Sequence, residues 1–445
     1  MKETGLTGES AGNQASKYSS GVFYGNGPIP MSDTMSLLAG LFLLLLVLPG
    51  TVVVVGLTVL WDAVDRGFMG NPQDGVVCSL ARWLNRVSAP FCALFVKQPE
   101  DAFLVNLFLL IGIFVPSMFA ASLYYTLHFG FSLPLCLVYH VIRLGPYFMN
   151  FAYAYTICHK EGHSRQGLWV RWLNPLMRNA FNWWVGLFYG VMPSSFAFGH
   201  SINHHKYNNG PLDVISASDR PRDSFLNWVR YLPRFVLYAL NISTARQFVY
   251  EGEYFVAFKM VLGSAWCWLF AFAVYRLSPL FALMYIIFPI GENILLLACV
   301  NWCWHAFIDP DAPDNTYVGS LTLFNGPINV LQEDFHVVHH QYPGAHWTTH
   351  PLKYKQHVSK GHYRDHAATA FSGTHVFELF FIIILKDYKM MASKFVDMSG
   401  RYPSTKDKQV ILKQRLQSCW WGPHAKGKQY QQAGWEGVES IQRDF

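Results

Sequence analysis

The sequence predicts an all-α integral membrane protein with about four to six transmembrane helices, made of two hairpins plus an N-terminal hydrophobic segment, and a helical cap outside the bilayer. Three observations carry this. The chain of 445 residues is 52% hydrophobic and 16% aromatic but only 14% charged, against roughly 25% charged in an ordinary soluble domain. Uncharged runs recur that exceed the roughly 20 residues a helix needs to cross a bilayer. Mean hydropathy is a modest +0.18, which leaves substantial polar mass outside the membrane. This composition excludes a wholly disordered chain and a collagen-like one. Eight cysteines without a CxxC pair exclude a disulfide scaffold and give no zinc motif, so buried free thiols are expected.

The elements follow in order. Residues 1–34 are polar and Gly/Ser-rich, with no basic stretch leading into a cleavable apolar core, so a disordered tail is expected there. Residues 35–385 form the membrane domain, and 386–445 a polar tail on the cytosolic side. Met35 to Trp61 carries no charge but is broken by Pro49-Gly50, giving either one kinked span or two short re-entrant halves. Ala102 to Ile142 is also uncharged, with turn signals at His128-Phe129-Gly130. It opens a hairpin running from about Ala102 to Leu127 and back from about Phe131 to Cys158. A second hairpin runs from Tyr254 to Tyr275 and returns from Pro279 to Trp304, turning at Arg276-Leu277-Ser278. Residues 168–198 and 226–250 are apolar but interrupted, and read as interfacial. Val376 to Leu385 is too short to span. Both hairpin turns fall on one side, so 62–101, 159–253 and 305–445 fall on the other. Arg171, Arg178, Arg220, Arg222, Lys353 and Lys360 in those segments suit the cytosol under the positive-inside rule. A net charge of +6 without a concentrated basic stripe gives no expectation of nucleic-acid binding.

The 18 histidines are not scattered. His159 and His163 form HKEGH; His200, His204 and His205 lie in GHSINHHKYNN; His336, His339 and His340 form HVVHH; His305 follows directly on the last span. On an α-helix residues i and i+4 share a face, so His159/His163 and His200/His204 are each expected to aim two imidazoles at one point. His205 and His340, about 100° further round, let one segment touch a second metal. Imidazole clusters without cysteine suit iron or zinc. Each cluster ends a span, so the ligands are expected to converge at one membrane face.

These motifs resemble the integral-membrane fatty acid desaturase/hydroxylase superfamily, with its three histidine boxes, over roughly residues 100–350. HVVHHQYP is similar to the HHxxP ending of desaturase third boxes, and Asn301 with His305 looks like the NxxxH pair of acyl-CoA desaturases. The resemblance implies two iron ions held by His159, His163, His200, His204, His205, His305, His336, His339 and His340, with Asn301 acting through a water. It also implies O₂ as co-substrate and an acyl lipid drawn from the bilayer. The short HxxxH first box and the HxxxHH second box are shared with membrane alkane hydroxylases, and the stretch ending DVISASDRPRDS is similar to a hydroxylase pattern. Fatty acid desaturation and membrane di-iron hydroxylation of acyl or alkane substrates both stay open. The sequence contains no HPGG haem loop, so electrons are expected from a separate donor, a b5-type cytochrome or a ferredoxin with its reductase. The endoplasmic reticulum, with the metals on the cytosolic side, is the expected location.

Carboxylates expected behind the ligands are Glu161, Asp334 and Glu292. Asp213 and Asp219 are equally placed by sequence, and a structural bond from Glu292 to His140 or Arg143 is the alternative for that residue. HKEGH lacks the glutamate position of a zinc protease. His346, His350, His357, His362 and His366 have no ligand spacing and read as surface residues. Tyr124, Tyr125, Phe148, Tyr153, Tyr155, Trp183 and Trp184 are aromatics of the spans that could line an acyl channel, with lipid-facing belts and helix packing as the alternative for any one of them.

Overall fold

A computed structural model describes residues 27–66, 75–164 and 166–425; most of the expected N-terminal tail and the last part of the C-terminal one lie outside these. The described residues are mostly helical, and two three-residue strands among them, β1 (Thr322–Phe324) and β2 (Ala370–Ser372), pair in parallel. Four helices among the described residues are long and apolar enough to cross a membrane. They are α1 (Asp33–Asp65), α3 (Pro99–Phe129), α8 (Tyr254–Leu277) and α9 (Pro279–Trp304).

Each boundary has a local cause. Pro49 lies inside α1 without ending the helix, so the first hydrophobic run is one continuous element rather than two halves. Gly130, at a φ of 88°, closes α3 in a conformation that L side chains avoid. Ser132 then caps α4 (Leu133–Leu144) by accepting from the Leu135 amide. The returning arm of this hairpin is not one span. Gly145 and Pro146 stop α4, and Tyr147 and Phe148 sit at positive φ before α5 (Met149–His163) begins. Proline cannot donate the next helical hydrogen bond, which the hydropathy of the run did not reveal. Ser278 separates α8 from α9 and caps the latter, at the expected turn.

One helix escaped the sequence reading. Residues 62–101 read as polar mass outside the bilayer, yet α2 (Val76–Cys92) carries an apolar stripe of Val76, Leu80, Trp83, Leu84, Val87 and Phe91, all exposed. The spacing i, i+4, i+7, i+8, i+11, i+15 is one helical face, and Arg82 and Arg86 flank it. An exposed face of this kind suits a lipid boundary. Its inner side is tied to α3, where Asn106 donates to Asn85 and Ser88 at 2.8 and 2.7 Å.

The interfacial segments form α6 (Phe225–Ala239) and α7 (Ile242–Tyr250), and α6 packs along α1. Beyond α9 come α10 (His336–Gln341), α11 (His350–Ser359), α12 (Val376–Ile384), α13 (Tyr388–Lys394) and α14 (Thr405–Gln417). Residues 386–417 thus carry two helices, with Leu412 and Leu416 wholly buried. The guanidinium of Arg222 ties this region to the end of α9: it donates to the carbonyls of Ala306 at 2.8 Å and Arg415 at 2.9 Å. β1 holds the third histidine motif, because the Leu323 amide donates to the Asp334 carbonyl at 2.9 Å.

Candidate metal centre

Four elements bring the nine histidines together: the end of α5, the segment Ser195–His204 with the residue after it, the end of α9, and α10. All nine are buried except His205, which is half-buried. Their ligand atoms fall into two groups. His159, His163, His200, His205 and His339 lie within 4.8 Å of one another, and so do His204, His305 and His340. His336 joins the second group, its Nε2 3.3 Å from that of His305.

His159 and His163 meet as helical spacing predicts, with their Nε2 atoms 3.0 Å apart. The second motif does not. Ser195–His204 is a π-helix, in which residues five apart align. His200 therefore pairs with His205, Nε2 to Nε2 at 2.9 Å, while His204 turns to His305 at 3.1 Å. The expected His200/His204 pair is corrected to His200/His205 for this reason. His205 also meets His339 at 3.0 Å.

The nitrogens fit a metal by their own chemistry. His204 Nδ1 lies 2.6 Å from the Asp213 carboxylate, and His305 Nδ1 lies 2.9 Å from the Gly319 carbonyl oxygen. Both partners accept, so each Nδ1 is the nitrogen that donates outward and each Nε2 is the one left facing inward. The two Nε2 atoms face each other at 3.1 Å, a spacing that would suit a metal between them. A metal–imidazole bond of about 2.1 Å places neighbouring ligand nitrogens about 3.0 to 3.4 Å apart, the spacing found here. Burial holds the rings of His163, His200, His205, His305, His339 and His340 well below the ordinary histidine range, helped by neighbouring imidazoles and Lys160. They stay neutral, which a metal ligand must be.

A family model described as fatty acid desaturase matches residues 132–369, more than half of the chain and all nine histidines. The chain belongs to the fatty acid desaturase family. No curated protein and no solved structure matches it.

Around the histidines of this desaturase-family site stand several carboxylates, Asp213 among those the sequence offered. Asp213 is the carboxylate behind His204 and also accepts from the Asn209 and Ile215 amides. Glu333 lies 3.4 Å from His159 Nδ1 and pairs with Lys160. Although burial pushes the Glu333 carboxyl up, Lys160 and His159 hold it well below its usual range. Ser201 Oγ is 3.1 Å from His163 Nδ1. Glu161, by contrast, accepts from the Phe181 and Asn182 amides and from the Asn182 side chain, so it anchors the next segment. Burial pushes its carboxyl up to about 8 against those donors. Asp334 is buried beside β1, and burial, then the charge of Glu333, raises it to about 8. Glu292 is paired with Arg143, more than three helical turns before His305, and is a structural group of the span. Asn301 donates to the Tyr231 hydroxyl at 2.7 Å, one turn before His305.

His350 departs from the surface reading. It is fully buried, its Nδ1 lies 3.3 Å from the Gln332 carbonyl oxygen, and burial lowers it to about 4. It packs behind His339, with ring centroids 6.2 Å apart.

A cavity of about 1490 Å³ reaches this centre. His159, His200, His204, His305 and His336 form its inner end, and Tyr155, Phe196, Leu296 and Phe380 are among its apolar walls. Phe148, Tyr153 and Tyr155 line it as expected; Trp183 does not, and Tyr124 and Tyr125 are exposed.

Proposed function

We propose that the protein is an oxygen-dependent, membrane-bound oxidoreductase that desaturates a fatty acyl chain, using two irons held by the nine histidines. One observation carries the reading. Inward-facing imidazole nitrogens of the histidine cluster line a large apolar cavity. Metal ligands alone would fit storage or transport, and an apolar cavity alone would fit lipid binding; together they fit oxidation of a hydrocarbon chain.

When bound, the irons supply the activation of O₂ that an unactivated C–H bond demands. His159, His163, His200, His205 and His339 would hold one, and His204, His305, His336 and His340 the other, with Asn301 beside the second. The remaining work belongs to the chain. Asp213 and Gly319 fix the rings of His204 and His305 so that only Nε2 is offered inward. The walls from α1, α5 and α9 keep the acyl chain extended and exclude bulk water. Electrons come from a separate carrier, since the sequence contains no HPGG; the basic residues of the cap favour an acidic one. A cytosolic-facing centre in the endoplasmic reticulum accords with the distribution of those basic residues.

Hydroxylation is the second reading, favoured by the HxxxH and HxxxHH box forms. Expression in a host of simple lipid composition, followed by mass spectrometry, separates the two. Desaturation removes two mass units from an acyl chain and hydroxylation adds sixteen. A lipid profile unchanged by an iron-loaded, well-expressed protein sinks both.

A further inference from the structure

Two cavities meet the histidine constellation, and they share none of its imidazoles. The apolar one touches His159, His200, His204, His305 and His336. A second, of about 800 Å³, touches His163, His205 and His340. The five-histidine group therefore stands as a partition, with His159 and His200 on one side and His163 and His205 on the other.

The second cavity has a different character. Arg178, Lys206 and Lys259 bring three cations to its walls, and Asn179, Asn182 and Ser201 add hydrogen-bonding groups. At roughly 30 Å³ per water, it holds roughly two dozen, which makes it a hydrated vestibule rather than a packing defect. It is more polar than the first cavity, although Trp183, Phe198, Ile202 and Leu262 also line it.

We propose that this polar cavity is the small-molecule port of the centre: O₂ and protons reach the metals through it, and water leaves through it, while the acyl chain occupies the apolar cavity. The inference rests on the di-iron reading above and adds a division of traffic to it. For each double bond formed, the substrate gives up two hydrogen atoms. One O₂, two electrons from the external carrier and two protons are consumed, and both oxygen atoms depart as water. Protons and water travel along hydrogen-bonding groups, and a hydrocarbon chain filling the apolar cavity supplies none. On the polar side a hydroxyl stands next to an imidazole. Ser201 Oγ lies 3.1 Å from His163 Nδ1 and donates to the Phe196 carbonyl at 2.9 Å. Lys206 is paired with Glu251, while Arg178 and Lys259 add positive charge to the walls, so small anions are drawn into the vestibule.

Azide is the probe, used on the iron-loaded full-length protein in lipid nanodiscs. Its association rate is followed by stopped-flow absorbance, anaerobically, with and without a saturated acyl lipid filling the apolar cavity. Filling that cavity should change the rate less than twofold. Ile202 lines the vestibule and is 41% exposed, so Ile202→Trp can narrow it without overpacking the core, and should slow azide at least tenfold. Lys259→Glu should slow it several-fold and weaken its dependence on salt. Leu110→Trp, on the wall of the apolar cavity, should leave the rate unchanged. If acyl lipid blocks azide in the unmodified protein, or Ile202→Trp has no effect on a folded, metal-loaded sample, the port is not there. A protein that retains no iron and shows no azide band defeats the di-iron reading instead, so the two failures are distinguishable. The lipid-blocking arm needs no variant.

Discussion

The carboxylate of Asp213 stands 2.6 Å from Nδ1 of His204 while Nε2 of the same ring faces His305 at 3.1 Å. One side chain thus fixes which nitrogen of that ring faces outward and which faces the cluster. Such partners typically contribute about 10- to 100-fold in metal affinity or activity. Asp213→Asn should weaken iron retention by about that factor, because the amide keeps an acceptor but loses the charge. His204→Ala should abolish lipid oxidation. Iron content by elemental analysis, with product by mass spectrometry, checks both; full iron content in Asp213→Asn would show that Asp213 serves only the turn it caps.

The π-helix makes a sharper distinction within the second motif. His205 shares a group with His163 and His339, whereas His204 belongs with His305. His205→Ala and His163→Ala should therefore remove the same iron and leave the same residual spectrum. His204→Ala and His305→Ala should share a different one. Mössbauer spectra of the four variants decide the matter, and a match of His204→Ala with His163→Ala, and of His205→Ala with His305→Ala, would mean that the segment binds metal in the α-helical register.

Much of the architecture was legible because it rests on long-range composition. The uncharged runs beginning at Met35 and Ala102 and the turn at Ser278 are properties of many residues at once, and they reappear as helices and a cap. The nine clustered histidines were legible because their spacing is local. What escaped depends on geometry that a one-dimensional pattern lacks. The 3.6-residue period pairs His200 with His204, and only a π-turn exchanges His205 for it. Glu161 sits between two ligands in sequence, but α5 turns it towards the Asn182 amide. Asp213 is nine residues from the ring it holds, and nothing in its spacing set it above Asp219. His350 lacks ligand spacing and is nonetheless buried behind His339.

Asp219 has a structural role that pH should expose. It is buried and paired with Arg234 at 2.8 Å and Arg220 at 3.1 Å. Although burial pushes its carboxyl up, the two guanidinium groups hold it well below the usual carboxylate range. Its folded value lies below the roughly 3.9 of an unfolded Asp, so its contribution is complete at neutral pH and is lost as pH falls below that unfolded value. Asp219→Asn should cost about 3 to 5 kcal/mol at pH 7, the usual loss when one partner of a buried pair is removed. Its stability should also fall less steeply than that of the unmodified protein between pH 5 and pH 3. Denaturation of detergent-solubilised protein across that range measures both; parallel pH profiles would remove Asp219 from the account.

Arg143 and Glu292 pose the reverse question, since a charged pair inside a span is often a functional group. Here both are fully buried, and one nitrogen of Arg143 and one oxygen of Glu292 have no hydrogen-bond partner among the described residues. A pair left partly unsatisfied contributes little net stability, yet breaking it strands a charge. Glu292→Leu alone should destabilise the protein by about 3 to 5 kcal/mol. Joining it to Arg143→Met should recover most of that loss, because two apolar side chains of similar volume strand nothing. Iron content should stay unchanged in both variants, since Glu292 lies more than three turns before His305. Loss of iron from the stable double variant would overturn this, and would place the carboxylate among the groups that serve the metal centre.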